Sequence, residues 1–382
     1  MSRRQPLRVA LLAPHRHPIR EPFAGGLEAH VWHLARGLRQ LGHEVRLFAP
    51  EGSDGVDPQH AFPRAPWTPT AAAAADVSMP PRAFMSAHHA YLRVLVALSR
   101  ELATEVDVVH NHALHHLPVA MAATVPVPML TTLHTPPTPW LESAVEVTAG
   151  DGSAASRFAA VSGFTADAWQ VLHHRPRVVH NGVDLTEWPL GPGGDWLMWS
   201  GRIVPEKGPH LAIDAARAAG MRLRVAGPLS DSGYFAREIA PRLGPDVEYV
   251  GHLPHAGLAE LVGRSAAVLV TPRWDEPFGL VVAEALACGT PVAAFSRGGI
   301  PEVVDRPELG ALVPADDVAA LAAELPRVVR LDRAAVRRHA ETELSVERMV
   351  RRYVGLYQDL LAGHWDEHRD TPRVVREVRF GR

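Results

Sequence analysis

The chain is poor in three residue types that often carry structure or chemistry. Cys288 is its only cysteine, which excludes a disulfide framework and a cysteine-built zinc site and leaves a buried thiol as the reading of that position. Of 39 basic side chains, 38 are arginine, so Lys207 is the only lysine. An ammonium is a compact point charge where a guanidinium is a planar fork, and a position that keeps lysine against such a bias is one that needs the smaller group. Asparagine occurs only at Asn111 and Asn181, each directly after a histidine that closes an apolar run, where strands end. There is no run of ~18 apolar residues and no charged-then-apolar leader over Met1 to Pro14, so the expectation is a soluble, cytoplasmic chain without a membrane partner. A net charge of −3 offers no footprint for a polyanion, which excludes nucleic acid as an expected partner.

What is present alternates. Over 382 residues with 47% hydrophobic content, two domains with sizeable cores are expected. Leu7 to Ala13 reads as a strand, followed by a loop with Gly25 and Gly26, an amphipathic helix carrying Val31, Leu34, Leu38 and Leu41 inward, and a second strand at Val45 to Ala49. The paired glycines would admit a phosphate or an acceptor against bare backbone, or serve as a plain turn. Glu51 to Arg82 has no sustained period, and Phe84 to Leu102 recovers helical spacing. Val106 to His110 and Met129 to Leu133 are further strands, the second ending in His134 and the loop Thr135 to Trp140 with its three prolines. Open α/β sheets bind ligands beyond the carboxyl ends of their strands, so His110, Pro136 and Trp140 are expected on the acceptor side. The cluster of His110, His112, His115 and His116 is not read as a metal site, because the chain has 22 histidines and no carboxylate accompanies this group.

Arg157 to Ser162 reads as a strand, with Ser162 capping a helix to about His174, and Arg177 to His180 follows, closing in the turn Asn181-Gly182-Val183-Asp184. Trp188 to Gly194, with two prolines and three glycines, reads as a linker. The second half restarts the alternation with strands at Trp196 to Ser200, Leu223 to Ala226, Val247 to Val250, Ala267 to Thr271 and Val292 to Phe295, which implies a parallel sheet covered on both faces. A long helix is expected over Ser345 to Leu361, before a charged tail at 366–382 for which a second copy of the chain, as a homodimer, is one admissible partner.

The stretch Trp274 to Gly289 organises the rest. Pro277 suits a first helical turn, Gly289 a C-terminal cap, and Leu280 to Cys288 leaves no polar stripe apart from Glu284. A carboxylate among such neighbours costs several kcal/mol unless something donates hydrogen bonds to it. Glu276 lies eight residues earlier. From Phe278 to Glu284 the helix would rise roughly 9 Å, enough to separate the two ends of one elongated ligand with hydroxyls at both ends and a diphosphate facing the free amides between.

Glu276-Pro277-Phe278-Gly279-Leu280 with Glu284 resembles the paired-glutamate signature of the family 4 retaining glycosyltransferases. The resemblance implies the GT-B fold: an α/β chain of two Rossmann-like parallel-sheet domains facing a central cleft, here an acceptor-side domain over 1–188 and a nucleotide-sugar-binding domain over 189–344, with a helix at about 345–365 crossing back to the first. It further implies that Glu276 holds donor-sugar hydroxyls, Glu284 the ribose, and the backbone at Phe278, Gly279 and Leu280 phosphate and sugar. Arg202 and Lys207 are similar to the family's basic pair on the donor diphosphate, His134 to its histidine near the reacting carbon, and Asn181 lies in a tetrapeptide similar to one at its interdomain crossing, on the donor side with Gly25 and Gly26.

The expected activity is retaining transfer of a hexose from a nucleotide diphosphate sugar, UDP-glucose or UDP-N-acetylglucosamine by default, to a small soluble acceptor such as a specialised metabolite. No metal and no cofactor are expected: no Asp-x-Asp triplet occurs, and a pyridoxal phosphate mechanism would need the lysine already placed on the phosphates. The alternatives are a nucleotide-sugar epimerase, which would convert donor without acceptor, and a catalytically silent nucleotide-sugar-binding protein.

Overall fold

The computed structural model describes residues 5–57, 59–62, 67–149 and 155–365; the tail at 366–382 lies outside them. The chain forms two compact units, one comprising Met1–Val161, Thr165–Val179 and the chain from Val350, the other Ser162–Phe164 and His180–Met349.

In the first unit β1 (Arg8–Leu12), β2 (Glu44–Phe48), β3 (Val108–Asn111), β4 (Met129–Leu133), β5 (Ser156–Ala160) and β6 (Arg177–Val178) form one parallel sheet in the order β2-β1-β3-β4-β5-β6. Its central strands are short apolar runs because helices cover both faces: Val9, Ala10, Leu11 and Leu12 of β1 are fully buried. Each such Val or Leu contributes about 1.5–3 kcal/mol of burial. Helix α1 (Gly26–Gln40) follows β1, α2 (Arg82–Leu98) precedes β3, and α3 (Pro139–Ala149) follows β4. The last helix, α4 (Val346–Leu361), brings Tyr353 and Tyr357 into this core, each fully buried.

In the second unit β7 (Leu197–Ser200), β8 (Leu223–Ala226), β9 (Val247–Tyr249), β10 (Ala267–Val270), β11 (Val292–Phe295) and β12 (Gly310–Val313) pair in parallel in the order β12-β11-β10-β7-β8-β9. The edge strand β12 was not expected. It is four residues long and opens on Gly310, where a Cβ would meet the Val292 carbonyl oxygen at 1.9 Å. The helix expected from Ser162 to His174 is confined to Gly163–Ala168. The expected linker is fastened down: Trp188 is 3% exposed, and the Gly191 amide donates to the Cys288 carbonyl at 3.0 Å.

Each sheet reverses its order once, between β1 and β3 and between β7 and β10. At such switch points the loops after adjacent strands diverge and leave a crevice at the carboxyl edge. The loops that leave there are the ones carrying Gly25 and Gly26, His112 to His116, Arg202 to Gly208, and Thr271 to Gly279.

Candidate active site

In the second unit the loop after β7 is bound to the loop after β10 through main chain. Thr271 at the end of β10 accepts from the Trp199 indole at 3.2 Å and donates to the Gly208 carbonyl at 2.8 Å, and the Arg273 amide donates to the Glu206 carbonyl at 2.8 Å. Gly208 makes this approach possible: its φ is +62°, and a Cβ there would meet the Thr271 carbonyl oxygen at 2.2 Å. The result sets Lys207 against Glu276. Their ammonium and carboxylate are in contact, 22% and 14% exposed, and the Trp274 indole donates to the same carboxylate oxygen at 2.9 Å while its ring lies 4.9 Å from the ammonium. Arg202, expected with Lys207 on the diphosphate, is 51% exposed and 3.5 Å from Glu206, four residues on in the same loop.

Pro277 does not start the helix. Gly279, at φ +87°, turns the chain and caps α5 (Leu280–Ala287), so that Phe278 lies before it and Leu280 to Glu284 spans roughly 6 Å rather than 9. Among the described residues the amides of Gly279, Leu280 and Val281 have no backbone acceptor, as befits a first turn. Glu284 projects one turn in. Its carboxylate is partly accessible, has no hydrogen bond or ion pair among the described residues, and is pushed up to about 7 by its apolar surroundings.

Four further residues support this turn, none of them read as a site residue in the sequence. Gly298 and Gly299, in the loop after β11, lie against it: Cβ atoms would meet the Glu276 carbonyl at 2.1 Å and the Pro277 carbonyl at 2.5 Å, and the Gly299 amide donates to the Glu276 carbonyl at 2.7 Å. The Ser162 hydroxyl donates to the Pro277 carbonyl. Glu302 accepts from the Gly163 and Phe164 amides, both at 2.7 Å, and pairs with His180 at 3.0 Å; although burial opposes it, these bonds hold the carboxyl below its usual range. The His180 ring is 5.7 Å from that of Phe278, itself 2% exposed. Next in sequence, Asn181 has its side-chain oxygen buried without a hydrogen-bond partner among the described residues. A signal for the glycines was present, since Gly298-Gly299 repeats after β11 the doublet that Gly25-Gly26 makes after β1.

In the first unit Gly25 caps α1 in extended conformation and Gly26 begins it, both exposed. His134, closing β4, is 9% exposed and its Nε2 lies 2.9 Å from His112 Nδ1. Burial, reinforced by neighbouring histidines, holds both rings well below the usual imidazole value, hence neutral at pH 7. His110 does not face an acceptor. It is fully buried, with Nδ1 2.6 Å from the Tyr357 hydroxyl and Nε2 2.8 Å from the Thr132 hydroxyl, and so supports the strand ends from beneath. Pro136 is half-buried and Trp140, on the first turn of α3, is 67% exposed. His30, His112 and His134 each bring a ring nitrogen within 4.8 Å of the others, a set of donors able to take a cation that shares only His112 with the sequence cluster His110, His112, His115 and His116. Cys288 is the buried thiol expected, pushed up to about 12 by burial.

Two doubly wound parallel sheets with their polar residues gathered at the switch points define a protein of GT-B fold. The sequence carries two family matches, "Glycosyltransferase Family 4" over residues 24–187 and "Glycosyl transferases group 1" over 190–342. It is 30% identical over 380 residues to the D-inositol 3-phosphate glycosyltransferase of Mycolicibacterium smegmatis, covering 87% of this chain and 86% of that one, and 29% identical over 357 residues to the glycogen synthase of Mycobacterium tuberculosis, covering 83% and 85%. Among solved structures it is similar to AviGT4, a glycosyltransferase involved in avilamycin A biosynthesis, at TM-score 0.65 and 25% identity over 94% of this chain and 99% of that one. The chain belongs to glycosyltransferase family 4.

Proposed function

We propose that the chain is a retaining glycosyltransferase that moves a hexose from a nucleotide diphosphate sugar to a small soluble acceptor without a metal ion. The observation that carries this is the pairing of the only lysine with Glu276, beside a helix start whose amides have no backbone acceptor and one turn before an accessible carboxylate, Glu284, that has no hydrogen bond or ion pair among the described residues. That order suits a ligand with hydroxyls at its two ends and a diphosphate between them. By the family resemblance, Glu276 takes sugar hydroxyls, Glu284 the ribose, and UDP-glucose or UDP-N-acetylglucosamine is the default donor.

The bond that breaks joins the anomeric carbon to the diphosphate oxygen, and its electron pair leaves with the diphosphate. Lys207 and the amides at the start of α5 meet that growing negative charge with groups already oriented, and Arg202 adds a second positive charge. The acceptor oxygen attacks on the same face, and its proton goes to the departing phosphate oxygen, so no protein base is required. Held between Glu276 and the Trp274 ring, Lys207 keeps a compact ammonium in a fixed place, which a guanidinium would not reproduce.

Lys207→Ala and Glu276→Ala are each expected to cut transfer about a hundredfold or more while circular dichroism and melting temperature stay near wild type. Near-normal turnover in either purified variant would sink the assignment.

A further inference from the structure

At the carboxyl edge of the first unit's sheet, rings from three elements gather in one place. Phe84 and His88 come from the first two turns of α2, His115 and His116 from the loop after β3, and Trp140 from the first turn of α3. The Phe84 and His116 rings are within 15° of parallel at 6.3 Å between centroids, His116 and Trp140 within 30° at 5.5 Å, and His115 and His116 within 22° at 4.4 Å. Phe84 also lies 5.8 Å from Trp140. Phe84, His116 and Trp140, 5.5 to 6.3 Å apart, are offset and together make a three-ring floor, while His115 stacks on His116.

The floor is uncharged. Burial holds His115 down to about 3 and lowers His116; among the described residues the charges that act on them are His116, His88 and His15 for the first and His88 for the second, none of them an arginine or a carboxylate. The chain's single lysine is in the other unit. Trp140 is 67% exposed and Leu114 45%, although an indole of that size is normally covered.

We propose that Phe84, His116 and Trp140 form the acceptor subsite and that the acceptor presents an uncharged pyranose ring, as in a neutral saccharide or glycoside. The axial C–H bonds of a pyranose carry partial positive charge and lie well on the negative face of an aromatic ring, whereas a phosphate would find no cation among these rings. This rests on the transferase reading above and gives its acceptor a chemical class. It also separates this chain from its relatives named for a phosphorylated acceptor.

The test has two arms. Saturation-transfer NMR on the full chain, with methyl hexosides and neutral disaccharides as probes, is expected to show transfer to the ring C–H protons, to lose it about three- to tenfold in Trp140→Ala, and to recover it largely in Trp140→Phe. In a labelled-donor assay neutral saccharides are expected to accept sugar in preference to inositol phosphate and hexose phosphates. Equal saturation transfer in Trp140→Ala, or a preference for the phosphorylated acceptors, would overturn the proposal. Loss of donor binding by the wild-type protein, measured separately by thermal shift, would instead count against the transferase reading and leaves the NMR arm still able to decide this one.

Discussion

Glu284 stands among the valines and alanines of α5 with its carboxyl raised to about 7, so its charge depends on pH in a range where most carboxylates are fully ionised. Hydroxyl donors of a ribose favour the charged form. Nucleotide affinity should therefore rise from pH 6 to pH 8, with a proton released on binding at the lower end, which calorimetry in buffers of different ionisation enthalpy would detect. Glu284→Gln should bind nucleotide about tenfold or more weakly at pH 8 and lose the pH dependence. Stability moves the other way. A carboxyl whose folded value is raised costs nothing below its unfolded value of about 4.5 and its full penalty above about 7, so the Gln variant should be at least as stable as wild type at pH 8. An unchanged pH slope in the variant would remove Glu284 from the site. This residue was legible in the sequence, as a lone carboxylate in an apolar helix. Its neighbours were legible only in part: Lys207 was marked by rarity, but that Glu276 is its partner depends on two loops 69 residues apart meeting, which no local pattern states.

At the scale of elements the site is a backbone construction. The chain turns into α5 through Gly279 at φ +87°, and the loop after β11 supports that turn through Gly298 at φ +59°. Gly279→Ala would place a side chain in the left-handed region at a cost of about 1–2 kcal/mol and bring its Cβ to 3.0 Å from Ile300. Gly298→Ala adds a Cβ that would lie 2.1 Å from the Glu276 carbonyl oxygen, so the Glu276 backbone must shift. Both variants should melt a few degrees lower, and Gly298→Ala should also weaken donor binding, as differential scanning fluorimetry with and without UDP-hexose would report. Donor binding unchanged in Gly298→Ala would mean that this support is dispensable. Eleven of the twelve strands among the described residues could be placed from apolar runs because a parallel sheet buries both faces and its strands advertise themselves as Val-Ala-Leu-Leu or Ala-Val-Leu-Val. The edge strand beginning at Gly310 could not, since an edge has less to bury. The start of α5 was misplaced by three residues because Pro277 carries a general preference for first turns, and the positive φ of Gly279 overrides it.

For the whole molecule, the neutral histidines of the first unit set a limit on acid stability. His110, His112 and His134 are held well below the usual imidazole value by burial, so below about pH 6.5 the unfolded chain binds protons that the folded chain does not. Each should lower stability by about 1.4 kcal/mol per pH unit once the unfolded form is protonated, a window that lies above the one in which Glu302 and Asp107, with depressed values, begin to lose theirs. Melting temperature should fall steadily from pH 6.5 to pH 5, and a flat profile there would contradict the burial of these rings as neutral groups. The central claim, that charge fixed by Lys207 and the start of α5 drives transfer without a metal, is tested most directly by incubating the protein with UDP-glucose or UDP-N-acetylglucosamine in excess EDTA, with and without neutral saccharides, and following the anomeric protons by NMR. The account expects UDP release and a new glycoside of unchanged anomeric configuration only when acceptor is present, at the same rate with and without the chelator. Conversion of the donor without acceptor, an inverted product, or activity lost in EDTA and restored by zinc would contradict it, the last pointing to His30, His112 and His134.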